Sequence, residues 1–103
     1  MGTQRDRFSG GLYGSVRVTT RVLTVPTAPY TTVTLTSANM GAVFYCHGTG
    51  NLIWGGSNVG VNTGAVLYPA MSYEWAPVED AFTVYVIAES VPTVLSVNEY
   101  GVP

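Results

Sequence analysis

Polar and apolar residues alternate along most of this chain, and a period of two means strands. Ser15–Val25 (SVRVTTRVLTV) puts Val16, Val18, Thr20, Val22 and Thr24 on one face and Arg17, Thr19 and Arg21 on the other. That is a long strand with one face in and one face wet, ended by Pro26 and Pro29, which cannot donate to a ladder. Tyr30–Ser37 alternates again, with Val33 and Leu35 pointing inward and Thr32, Thr34 and Thr36 outward. Ala38-Asn39-Met40-Gly41 is the next turn, and Ala42–His47 (AVFYCH) a short strand before the loop Gly48-Thr49-Gly50.

The centre of the pattern is Asn51–Ala76 (NLIWGGSNVGVNTGAVLYPAMSYEWA). Gly55-Gly56, Asn62-Thr63-Gly64 and Pro69 are three turn signals in few residues, so the stretch reads as a β-meander of short strands. Pro77–Asp80 is a turn with two acids. In Ala81–Ala88 (AFTVYVIA), Phe82, Val84 and Val86 line one face and Tyr85 and Ile87 the other. Apolar residues on both faces place this strand at the centre of a sandwich or in a subunit interface. Exposed, it would be an aggregation hazard, having strong β-formers and neither charge nor proline. Val91–Glu99 closes the pattern, with Leu95 and Val97 opposite Val94 and Ser96. No segment has a useful helical period. The expected fold is all-β: one small antiparallel β-sandwich or barrel of about eight short strands, residues 15–103. Residues 1–14 (MGTQRDRFSGGLYG) are polar and glycine-rich and cannot hold structure alone, so they form an extended N-terminal arm, flexible or bound to a partner.

Composition narrows the function. With 103 residues the chain fits one domain, and its core is modest. Charged residues are 10% of it, against about 25% in a typical domain. Much of the surface is therefore neutral β structure, which invites partners. The net charge is −2, from four arginines, no lysine and six acids, so nucleic-acid binding through phosphate neutralisation is not expected. Cys46 is the single cysteine, which rules out an intrachain disulfide and suits a reducing compartment. No apolar run approaches the ~18 residues of a membrane helix, and the start lacks the apolar stretch of a signal peptide.

Catalytic chemistry finds little support. Cys46 and His47 are neighbours in a strand, so they point to opposite faces and cannot easily share a metal or form a nucleophile–base pair. Glu74, Glu79, Asp80, Glu89 and Glu99 could include a carboxylate pair, but Glu79 and Asp80 read as turn residues. Ser57 after Gly55-Gly56 lacks the strand-to-helix elbow of hydrolases, and the same glycines lack the lysine and helix of a phosphate loop. No enzyme, cofactor, metal or small-molecule substrate is expected. Tyr73 and Trp75 share a strand face, with Trp54 and Tyr68 nearby in sequence; they serve either packing or a platform for sugar rings.

Leu52-Ile53-Trp54-Gly55-Gly56-Ser57-Asn58-Val59, then Asn62-Thr63-Gly64, then Leu67-Tyr68-Pro69, resembles a pattern of small structural proteins of tailed bacteriophages. There an "IGGS-N-V" strand-turn-strand leads to an "N-G-x-x-L-x-P-G" turn. The likeness extends over Tyr30–Glu99 and includes the strands at Thr31–Thr36, Phe82–Ala88 and Val94–Val97. Its elements are turn chemistry and burial pattern. Ala70 departs from it where glycine is preferred, and the leader before Tyr30 lies outside it. The resemblance implies a virion component: a capsid decoration (cement) or head-fibre protein, or a tail accessory. It implies contacts with the major capsid protein and with copies of itself, a trimer among the symmetric options. The protein would be made in the host cytoplasm and reside on the capsid surface. Phe8 and Tyr13 would anchor the arm on a neighbour, and Arg17 and Arg21 would meet an acidic capsid face. The alternative is a tail or fibre-base module that recognises host-surface carbohydrate through Tyr73 and Trp75. A domain of a larger cellular assembly is a third option.

Overall fold

The structure, a computed structural model, describes residues 17–36, 40–77 and 79–101. The arm at 1–14, with Phe8 and Tyr13, lies outside the described residues. Eight strands follow one another: β1 (Arg17–Val25), β2 (Thr31–Leu35), β3 (Gly41–Cys46), β4 (Leu52–Gly55), β5 (Ala65–Leu67), β6 (Ser72–Trp75), β7 (Phe82–Ala88) and β8 (Thr93–Gly101). They form two four-stranded antiparallel sheets, β1-β8-β3-β6 and β2-β7-β4-β5.

The pairing has a simple logic. β4 pairs with β5, β3 with β6, β2 with β7 and β1 with β8. The chain is one long hairpin, and successive rungs alternate between the sheets as the hairpin wraps. The further pairs β3–β8 and β4–β7 join the rungs within each sheet. This is the eight-stranded jelly roll. It settles sandwich against barrel in favour of a sandwich of two sheets. It also corrects the meander expected over 51–76. β4 and β5 are a hairpin, but β6 crosses to the other sheet. The short strand expected between the two glycine turns is a loop, closed by reciprocal Gly60–Thr63 backbone hydrogen bonds of 3.0 Å.

The core lies between the sheets, where Val25, Val33, Leu35, Phe44, Leu52, Val84, Val86, Leu95 and Val97 are all buried. Alternation on β2 is as the sequence suggested: Val33 and Leu35 face in, while Thr34 Oγ1 lies 3.0 Å from Thr83 Oγ1 on the outer face. β7 is a central strand, between β2 and β4: Val84 and Val86 are buried on its inner face, while its outer face runs from exposed Thr83 through half-buried Tyr85 to buried Ile87.

β1 is turned the other way from expectation. Val18 and Val22 are 51% and 64% exposed, while Leu23 packs against the core and Val25 is fully buried. The face that carries Arg17, Thr19 and Arg21 is therefore the one directed between the sheets, because it is continuous with Leu23 and Val25. Arg21 can occupy this face because β8 offers it a carboxylate.

Two backbone positions show what the turns require. Met71 N donates to Tyr68 O at 3.0 Å, and Ala70 has φ 63°. A proline second and a left-handed residue third are the marks of a type II turn, which favours glycine third. The turn expected at Pro69 thus forms with alanine in the position that favours glycine. Left-handed backbone costs a non-glycine residue roughly 1–2 kcal/mol, partly offset by the greater unfolded-state freedom of glycine. Ala70→Gly is expected to stabilise the domain by about 0.5–1 kcal/mol, which thermal or urea unfolding would detect as a raised midpoint.

Candidate interaction surfaces

Glu99, the one buried ionic group among the described residues, ties the two sheets together at their β1/β2 edge. Glu99 on β8 is buried, and its Oε1 accepts a hydrogen bond from Arg21 Nη2 at 3.3 Å. Its Oε2 accepts from Thr36 N at 2.7 Å and from Thr36 Oγ1 at 2.8 Å, just past the end of β2. Arg21 Nη1 donates to the Thr34 carbonyl of β2 at 3.2 Å. Arg21 Nε is buried and meets no acceptor among the described residues. One carboxylate and one guanidinium thus each hold a residue of the opposite sheet. Arg21, expected to offer its charge to a partner, has its guanidinium bonded to Glu99 and Thr34 within the chain, with 35% of its side chain still exposed. Arg17, at the start of β1, is exposed.

The aromatic residues gather at the opposite side of the sandwich. Tyr73 and Trp75 stand on the inner face of β6, in register with Phe44 and Ala42 of β3. Trp54 reaches them from β4, with ring centroids 4.9 Å from Tyr73 and 5.0 Å from Trp75. Phe82 and Phe44 lie 5.4 and 5.5 Å from Trp75. These separations are those of mutually packed rings. Trp75 Nε1 is buried without a hydrogen-bond acceptor among the described residues, and aromatic rings surround its indole. The rings pack tilted and edge-on against each other, and Tyr73 keeps 40% of its surface exposed. Tyr68 stands apart, exposed beside the type II turn.

The other chemical candidates are dispersed. Cys46 is fully buried on β3, and its thiol lies 3.4 Å from the Gly50 carbonyl. Desolvation raises its pKa above the ordinary value of 9.0, against a smaller lowering by a backbone hydrogen bond at Gly48. His47 is exposed and packs edge-on to Tyr45 at 4.6 Å. Glu89 accepts a hydrogen bond from Asn51 Nδ2 at 2.7 Å. Glu79 and Asp80 are exposed in the β6–β7 connection. Among the described residues, no three His, Cys, Asp or Glu side chains come together as a metal site.

The thiol has a pH consequence. Its folded-state pKa is raised, so the folded chain holds the proton at pH values where the unfolded chain releases it. Its contribution to stability is full below pH 9 and falls as the pH climbs past it. Cys46→Ala should flatten the alkaline limb of a stability–pH curve measured by urea unfolding. Native Cys46 should also resist thiol reagents until the protein unfolds.

A continuous feature among the described residues is the outer face of the β1-β8-β3-β6 sheet. Register puts Val18, Thr20, Val22 and Thr24 of β1 beside Tyr100, Asn98, Ser96 and Val94 of β8, then Val43 and Tyr45 of β3. Ser72 and Glu74 of β6 complete it, and Glu74 is its one charged side chain among the described residues. Thr20 Oγ1 donates to Asn98 Oδ1 at 2.6 Å across the face. A nearly neutral sheet face can be buried without stripping water from charges. The sequence hinted at it through low charge, but the inverted β1 concealed which residues compose it.

No protein-family model matches the chain, and no curated protein sequence is detectably similar to it. Among solved structures it is similar to the solution NMR structure of a de novo designed double-stranded beta-helix, with 16% identity and a TM-score of 0.52. The match covers 81% of this chain and 97% of that one, and at such low identity it speaks for the fold alone.

Proposed function

We propose that this protein is a non-enzymatic structural protein of a tailed bacteriophage virion, a decoration subunit that stabilises the head shell by contacts with the major capsid protein. The observation that carries this reading is the outer face of the β1-β8-β3-β6 sheet, with Glu74 as its single charge among the described residues. Interface cores are depleted of charge, and such a face loses little on desolvation. The turn pattern at Leu52–Pro69, with its type II turn at Pro69-Ala70, supplies the phage connection. Jelly rolls recur in viral capsid and lectin domains, which is a fold-level analogy and consistent with either class of partner.

Capsids assembled without this protein, mixed with it and sedimented, test the reading. Saturable co-sedimentation with expanded heads, together with silence on a glycan array, is the expected result. A glycan signal with no capsid binding would replace it with the carbohydrate-recognition alternative.

A further inference from the structure

We propose that the edge of β1 left uncovered by any described strand is a homodimer interface, at which two copies pair β1 with β1 about a two-fold axis and join their sheets into one of eight strands. The four edge strands of the sandwich are β1, β6, β2 and β5, and they are unequal. β5, β6 and β2 have three, four and five residues, while β1 has nine. Short edges are poor templates for pairing, whereas a long uncovered one presents a row of backbone donors and acceptors. The β2 edge is also capped, since Arg21 occupies its Thr34 carbonyl. Among the described residues, β1 has β8 on one side and no strand on the other.

The side chains of β1 fit a second copy of β1. With the two-fold axis at Thr20, antiparallel pairing sets Val18 opposite Val22 of the other copy, Val22 opposite its Val18, and Thr20 opposite Thr20. The outward valines, 51% and 64% exposed in the single chain, then cover each other as cross-strand β-branched pairs. Charge permits this arrangement. Arg21 falls opposite Thr19 and is already neutralised by Glu99. Arg17 falls opposite Leu23, so the two Arg17 side chains are six residues apart along the ladder. That is about 20 Å at ~3.4 Å per residue, well beyond a screening length of about 8 Å. An isologous edge closes at two copies, so the oligomer is a dimer and not the trimer considered from sequence. The inference does not depend on the particle reading and is tested in solution without any capsid.

Sedimentation equilibrium of the purified full chain should give a dimer. Val22→Lys, a change at an exposed position, should leave the circular dichroism spectrum unchanged and weaken association by roughly tenfold or more, because an edge lysine blocks strand addition. Thr20→Cys places one thiol at the axis. With oxidised glutathione as oxidant it should cross-link into a covalent dimer much faster than Thr24→Cys, while buried Cys46 stays unreacted. A monomeric wild type at about 100 µM would overturn the proposal, since pairing weaker than that corresponds to less than about 5–6 kcal/mol. So would a dimer untouched by Val22→Lys, or Thr20→Cys cross-linking no faster than Thr24→Cys.

Discussion

Glu99→Ala is expected to destabilise the domain by about 3 kcal/mol, the range for removing one partner of a buried ion pair. For a domain of this size that lowers the unfolding midpoint by on the order of 15 °C. The effect is large because several bonds depend on one carboxylate. Its loss leaves Arg21 Nη2 and both Thr36 donors without that acceptor, at the edge where two different sheets meet. Arg21 is partly exposed, so water can recover some of its hydrogen bonding, which keeps the figure at the lower end. Arg21→Met combined with Glu99→Leu separates charge from packing. The double substitution leaves neither charge uncompensated and should restore the part of the loss that comes from the stranded guanidinium, while the part that comes from the Thr36 donors remains. Urea unfolding of the three variants provides the comparison, and a Glu99→Ala cost below about 1 kcal/mol would show that the tie is dispensable.

The second large effect is expected at Gly64, which ends the loop between β4 and β5. Its φ is 144°, in the region that side chains rarely adopt. A Cβ there would stand 2.8 Å from the Trp54 carbonyl oxygen, 2.8 Å from Ile53 Cγ2 and 3.1 Å from Val59 Cγ2. Backbone strain costs of order 1–3 kcal/mol and overpacking a similar amount. Gly64→Ala should therefore cost about 3 kcal/mol or more, visible as poor soluble yield or a sharply lowered denaturation midpoint. Gly56→Ala in the same loop is the control. A Cβ there meets only Asn58 Oδ1 at 3.6 Å, so little change is expected.

Much of the fold was legible wherever one strand face is plainly apolar. Val33 and Leu35 on β2, Val84 and Val86 on β7, and Leu95 and Val97 on β8 all follow from local alternation. A turn at Pro69 was also legible, because proline is a local turn signal, but the left-handed backbone at Ala70 was not, since alanine disfavours it. Arrangements that depend on distant partners were not. β1 carries valines on one face and arginines on the other, and alternation alone favours burying the valines. What reverses it is Glu99, 78 residues away, which gives Arg21 a partner between the sheets. The crossing of β6 was hidden for a similar reason. Turn residues mark where the chain reverses, but which sheet the next strand joins depends on Tyr73 and Trp75 meeting Phe44 and Trp54.

The candidate surface was legible as a property and not as a place. Ten per cent charged residues announces a neutral exterior, whereas the location of that exterior depends on which face of β1 turns outward. The same inversion turned Arg21 toward Glu99 and left Val18 and Val22 exposed. It is also what makes the β1 edge suitable for a second copy.

Cryo-electron microscopy of the native phage particle tests the decoration reading most directly. Density for this jelly roll at the junctions between capsomers, with the outer face of the β1-β8-β3-β6 sheet against the shell, is the predicted result. Density confined to the tail or baseplate, or no copy of the chain in the particle, would contradict it.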